Sequence, residues 1–275
     1  MIRVSFYRVF KRKRIIIIAL IILLINVIDV VSRASGKAFI DKLVVQSAFL
    51  ETMIANGSTN ASNVLYTYLA FILAAIPMSD SLIEDIETGI NKTYLLKISK
   101  KEYLIKRFLI NFFYGGFFVA VVILLNLLIW LCLRPSLALT YYNTGLINEI
   151  FLVDLLVKNP IMFYLVTIFR IFLVAGVIST FAMLLNDILN SKYIGLGGVF
   201  VIDLIIALIV EWLRVKYGIF NSFASLLQLV EGFALNINLY SFIYPILVFI
   251  GSFLVLMIKN KNRKIIWELL EEIGW

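Results

Sequence analysis

Six long apolar runs separated by polar stretches set the pattern of this chain. The runs are Ile15–Val31, Ser62–Met78, Phe108–Leu133, Ile161–Leu185, Tyr193–Leu213 and Leu239–Ile258. At about 1.5 Å of rise per residue, runs of this length predict helices that cross a hydrocarbon core of about 30 Å. The polar stretches between them are not alike. Residues 1–14 predict an amphipathic helix lying on a membrane surface, with Ile2, Phe6, Val9 and Phe10 on one face and Arg3, Arg8 and Lys11 to Arg14 in water. Residues 79–107 have helical periodicity of their own. Leu82, Ile83, Ile86 and Ile90 recur at one-turn spacing, with Glu84, Asp85 and Glu87 opposite. Gly89 predicts a break, followed by Leu95, Leu96 and Ile98 and then Lys100, Lys101, Lys106 and Arg107.

The remaining stretches fall on the other side of the predicted spans. Residues 32–60 read as a polar loop. Residues 134–160 form a second loop whose apolar part, Ile147–Val157, is too short to cross. Residues 214–238 carry Phe220, Phe223, Leu226, Leu227, Val230 and Phe233 together with Glu231, which predicts a helical segment dipping half-way into the bilayer. The tail, 259–275, begins basic and then sets Ile266, Leu270 and Ile273 against Glu268, Glu271 and Glu272. The expected fold is therefore an all-α integral membrane protein: one domain over 1–275, with six spans, an N-terminal interfacial helix and a polar helical segment over 79–107.

Composition agrees with that reading and restricts the chemistry. The chain is 62% hydrophobic and 15% charged, against roughly half and a quarter in a soluble domain. Its net charge of +8 resides in the flanks of the spans, which favours membrane lipid over nucleic acid as the partner of those charges. Seventeen Lys and Arg lie on the side of the termini and 79–107, against seven on the other. That bias places both termini and residues 79–107 in the cytoplasm. With Cys132 as the single cysteine and no histidine, an internal disulfide, a His-ligated metal and a Ser–His or Cys–His nucleophile are excluded. Gly36–Lys37 lacks the upstream glycine and the hydroxyl of a phosphate loop, so this chain is expected to bind no nucleotide in the usual way and to be no enzyme. Heavy use of Ile, Lys and Asn points to an AT-rich bacterial genome.

Charged residues within spans are the natural functional suspects. Arg170 and Asp203 fall at matching depth on consecutive antiparallel spans, roughly 14 Å from the far edge, and are expected to neutralise one another. That pair would either fix helix packing or touch a substrate. Asn26, Asp29, Asn126 and Glu211 lie in the same half and either line an outward-opening pathway or hydrogen-bond between helices. Gly115–Gly116, Gly176 and Gly195–Gly198 are expected to let helices pack closely.

The run Glu87-x-Gly89, Leu95-Leu96, Ser99-Lys100, Tyr103 and Lys106 resembles the cytoplasmic loop of type-2 ATP-binding-cassette (ABC) exporter permeases. It departs from that family's pattern at Ile98, where a proline usually precedes the serine. The resemblance extends to the interfacial helix, the six spans and the apolar segment between spans five and six. It implies a permease dimer in a bacterial cytoplasmic membrane. Each loop would dock as a coupling helix on a separate ATPase that holds ATP and magnesium. Leu82, Ile83, Ile86 and Ile90 would form the apolar docking face, with Glu84 and Glu87 as polar contacts. The implied cargo is hydrophobic or amphipathic: an antimicrobial or bacteriocin-like peptide, or a lipid-linked molecule. Two other readings remain open, a non-pumping immunity or sensor subunit and a proton-coupled carrier or membrane enzyme using Asp29, Arg170 and Asp203.

Overall fold

A computed structural model describes residues 2–34, 47–55, 61–139, 152–220, 223–231 and 239–272. All regular structure among them is helical. In chain order the helices are α1 (Ile2–Lys11), α2 (Arg14–Ala34), α3 (Ala48–Glu51), α4 (Ala61–Ala75), α5 (Ser81–Glu87), α6 (Ile90–Leu95) and α7 (Lys100–Leu133). Then follow α8 (Val153–Lys158), α9 (Pro160–Leu189), α10 (Ile194–Tyr217), α11 (Leu226–Val230), a 3-10 turn (Leu239–Phe242) and α12 (Ile243–Glu272). Among the described residues, five helices are long and apolar enough to cross a membrane: α2, α7, α9, α10 and the stretch Tyr240–Asn260, which includes the first part of α12.

The second apolar run, expected as a span, forms only a 15-residue helix, α4. It nevertheless runs alongside α2 from end to end. Ser62 at its start donates to Asp29 near the end of α2 (2.6 Å), while Asp80 beyond its end pairs with Arg14 at the start of α2. These two contacts define the ends of the bundle, called here the Asp29 end and the Arg14 end. The turns over 76–80 supply the length that the helix lacks.

The third expected span and the polar segment before it are one rod. Ser99 caps α7, its Oγ accepting from the Glu102 amide at 3.2 Å, and the helix then continues unbroken for 34 residues. That is roughly 51 Å, well beyond a 30 Å core, so Lys100–Arg107 project past the apolar zone as a rigid extension. Further along the chain, α9 starts at Pro160, in the first-turn position that tolerates proline. The Asn159 side chain accepts from the Met162 amide there at 3.3 Å.

Helices α7 and α9 form the centre, each with about half of its apolar window buried, against 17% for α10. Glycine allows that closeness. A Cβ on Gly115 would overlap Ser179 of α9 and lie 2.8 Å from the Ala74 carbonyl oxygen of α4. A Cβ on Gly116 would overlap the Phe172 carbonyl, and one on Gly176 would lie 2.6 Å from the Phe112 ring. Across the same seam Asn111 and Ser179 exchange hydrogen bonds: Asn111 Nδ2 donates to the Ser179 carbonyl (2.6 Å), and Ser179 Oγ to that of Asn111 (3.2 Å). In the run 195–198 only Gly195 packs this tightly, against Ala182, whereas Gly197 has open space around it. Gly115→Leu is expected to cost about 1–3 kcal/mol or more through overpacking, and Gly197→Leu nothing. Melting of the two variants in detergent checks the contrast.

The stretch expected as a loop over 32–60 is partly folded. Phe49, Met53 and Ile54 are fully or nearly buried in the main core, so α3 and its turn cap the Asp29 end. Residues 35–46 and 56–60 lie outside the described residues. The same holds for 147–151 of the second loop and 232–238 of the half-inserted segment. The tail continues α12 to Glu272, but no side chain beyond Asn260 is described, so its expected amphipathic face lies outside the description too.

Candidate functional site

Three polar centres position the segments that sequence analysis singled out. The first, at the Arg14 end, is built around α5. Asp80, the N-cap of α5, and Glu84 stand one turn apart with Asp85 beside Glu84, and Arg8 in α1 stands four residues before Arg12, just past the end of that helix. The two rows interlock. Arg8 reaches Asp85 (2.5 Å) and Glu84 (3.1 Å), Arg12 reaches Asp80 (3.0 Å) and also binds Glu84, and Arg14 binds Asp80. From the other side Arg107 of α7 binds Asp85, to which Tyr103 Oη donates at 2.7 Å. Asp85 and Arg107 have no exposed side-chain surface. The Arg12 guanidinium is pushed below its ordinary pKa by burial, which outweighs the opposing pull of Asp80.

This geometry corrects the expected docking face. Leu82 and Ile83 are buried, at 2% and 7% exposure. Leu82 belongs to an internal apolar cluster with Tyr103, Leu104 and Phe108 of α7, Met183 and Leu184 of α9 and Leu256 of α12. Both residues point inward because the acidic face of α5 is drawn against α1 and α7, which turns the apolar face toward the spans. Glu84 is likewise engaged by Arg8 and Arg12 rather than left for a partner. Nor are Arg8, Arg12 and Arg14 simply in water, since the acids of α5 neutralise them.

The exposed part of the segment lies further on. Gly89, with φ +71°, occupies the left-handed region and turns the chain from α5 into α6. Ile86, Ile90 and Leu95 are about 40% exposed, and Leu96 is 87% exposed. Lys92, Lys97 and Lys101 are exposed around them. Glu87 pairs with Lys192 in the turn after α9, and this hydrogen bond holds the Lys192 ammonium above its ordinary pKa. The Lys100 Nζ donates to the Asn260 carbonyl at 2.6 Å, which ties the start of α7 to α12. Lys106 pairs with Glu102 one turn away, at 2.5 Å on the helix surface.

At the opposite end Asp29, wholly buried, organises the second centre. Its Oδ1 accepts from Ser62 Oγ (2.6 Å) and Arg33 Nε (3.3 Å), and its Oδ2 from Asn126 Nδ2 and Trp130 Nε1 (both 2.8 Å). Arg33 goes on to Glu51 (3.2 Å) and the Thr52 carbonyl (3.2 Å), and Asn126 Oδ1 accepts from the Met53 amide (3.0 Å). Asp29 and Asn126, foreseen as pathway or interhelical groups, thus bond to one another between α2 and α7. Asn26 stands apart from them and donates to its own helix at Ile22 (2.9 Å). Glu211 does not share this region: it lies on an exposed face of α10 and pairs with Arg214, one turn on.

The third centre overturns the expected Arg170–Asp203 pair. No ion pair joins them among the described residues. Asp203 instead accepts from the amides of Leu226 and Leu227 (both 3.1 Å) and from Tyr244 Oη (3.0 Å). Arg170 donates to the Glu231 carbonyl at 3.3 Å. The two charges therefore grip opposite ends of α11, the acid at its free amides and the base at its free carbonyls. That arrangement complements the helix dipole. Ser225 and Gln228 add a capping box.

No protein-family model matches the chain, and no curated protein or solved structure matches it significantly. Fold and polar centres together define an all-helical protein with the make-up of a multi-pass membrane protein.

Proposed function

We propose that this chain is the membrane-spanning permease subunit of an ATP-driven ABC exporter, working with a separate ATPase and a second permease subunit. One observation carries this reading. Residues 80–107 combine an anchored acidic face on α5 with an exposed apolar tip at Ile86, Ile90, Leu95 and Leu96. A push on the tip passes through the short turn over 96–99 into α7, which is continuous from Lys100, and reaches α9 and α12 through the apolar cluster around Leu82. That is the construction of a lever. The docking face is accordingly proposed as Ile86, Ile90, Leu95 and Leu96 within a ring of lysines.

The Lys and Arg bias puts this tip in the cytoplasm, where an ATPase holding ATP and magnesium would meet it. α4 would be the sixth crossing, since it joins the same two levels as α2. The membrane would be the bacterial cytoplasmic membrane. The spans present apolar surface, which suits a hydrophobic or amphipathic cargo such as a membrane-active peptide or lipid-linked molecule.

Ile90→Asp with Leu96→Asp tests the reading. Burying each side chain at an interface is worth about 1.5–3 kcal/mol, so the double variant should retain less than a tenth of the ATPase that co-purifies with the unaltered chain. Its melting temperature should change little, because both side chains lie at the exposed surface and outside the apolar clusters. An ATPase that stays bound to the double variant, or a protein active without any ATPase, would overturn the proposal.

A further inference from the structure

We infer that a groove between α2 and α7 binds an uncharged amphiphile through a single hydrogen-bond donor, a hydroxyl or an amide N–H, received by Asn26. The groove encloses about 570 Å³, within the range of small-molecule sites. Its walls include Leu23, Val27, Val31, Leu125 and Ile129, and Asn26 is the one polar residue in its lining. Asn26 lies twelve residues into α2, about 18 Å from the Arg14 end, and is 4% exposed.

The Asn26 side chain is only half satisfied. Its Nδ2 donates to the Ile22 carbonyl at 2.9 Å and lies 3.5 Å from that of Val122. Its Oδ1 has almost no exposed surface and accepts no hydrogen bond, so a donor in the groove meets it as the side chain shifts slightly toward the cavity that Asn26 lines. A buried acceptor left in that state costs about 1–3 kcal/mol, and a bilayer core offers no water to meet it. An all-apolar lining elsewhere excludes charged and zwitterionic groups at this depth. What fits is an apolar body that carries one donor. A smaller groove supplies an internal control: it encloses about 230 Å³ between α7, α9 and the start of α12, beside Phe112 and Phe249, and its lining is entirely apolar.

The site goes beyond the exporter reading and is tested without an ATPase, so either can fail alone. The probe is a diazirine-bearing dodecanol, compared with its methyl ether, on the full chain in phosphatidylcholine nanodiscs. The alcohol is expected to label peptides of the α2–α7 groove saturably, with competition by plain dodecanol. The ether should label them about five-fold less, in keeping with one neutral hydrogen bond. Asn26→Leu should bring the alcohol down to the level of the ether, and Val27→Trp, which fills the groove, should remove both. Near Phe249 the two probes should label alike. Equal or unsaturable labelling of the α2–α7 groove by both probes would mean annular lipid only, and cross-links from groove residues to a second copy would mean a subunit interface. Either result overturns the inference, and the ether comparison stands even if Asn26→Leu does not fold.

Discussion

Asp85→Leu is expected to destabilise the protein by about 3–5 kcal/mol, enough to remove most folded protein from a detergent extract. The size follows from what it strands. Arg107 is fully buried and bonded to Asp85, and removing one partner of a buried pair leaves an uncompensated charge. Tyr103 also loses its 2.7 Å acceptor and Arg8 its 2.5 Å one. Arg8 keeps Glu84 and some contact with solvent, so it adds little. The diagnostic experiment is the rescue. A double variant, Asp85→Leu with Arg107→Met, removes both charges and should recover most of the loss, because an apolar replacement of a whole buried pair is often neutral. Melting by size-exclusion chromatography compares the four proteins. A double variant as unstable as the single one would show that the pair is not the source of the effect. High salt should leave this pair intact but loosen the partly exposed Arg8–Glu84 and Arg12–Glu84 contacts.

The same cluster shows where sequence reading succeeds and where it stops. Hydropathy alone foreshadowed the long helices, since runs of twenty apolar residues have few alternatives. It also marked Gly89 as a break, and the small residues at 115, 116 and 176 as points of close approach. Polar faces were harder. The spacing of Arg8 with Arg12, and of Asp80 with Glu84, is visible in the chain and was a usable signal for two interlocking rows. Periodicity, however, gives only which residues share a face, not which way that face turns. In α5 it found Leu82 and Ile83 on one side and the acids on the other, but direction depended on Arg107, far along the chain. Arg170 and Asp203 fail for a related reason. Depth along a helix is one coordinate, and two charges at equal depth meet only if their azimuths agree. Here each turns toward α11, whose place no local pattern specifies. Depth alone groups Glu211 with the pathway or interhelical candidates as well, whereas Arg214 one turn away is its partner on the exposed side.

Asp29→Leu should be as damaging at the opposite end of the bundle, by roughly 3–5 kcal/mol. The carboxylate receives four donors from three helices: Arg33 on its own α2, Ser62 on α4, and Asn126 and Trp130 on α7. Leucine leaves the Asn126 and Trp130 donors buried without an acceptor, at about 1–3 kcal/mol each. Arg33 suffers less, since Glu51 and the Thr52 carbonyl still hold it. Asp29→Asn should fall between, because an amide offers one acceptor oxygen but turns its own N–H groups toward donors. A cycle with Trp130→Phe isolates the largest neutral contact. Phenylalanine removes the indole N–H but keeps an apolar ring, so Asp29→Leu should cost about 1–2 kcal/mol less in that background than in the unaltered protein. Strict additivity of the two substitutions in detergent melts would mean that the carboxylate does not hold α2 to α7 through Trp130. If the coupling is found, the Asp29 and Asp85 centres fix opposite ends of α7, the helix joined to the exposed tip at Leu96. A load applied there then moves α7 as one body held at two points, which is the mechanical condition that the proposed coupling to an ATPase requires.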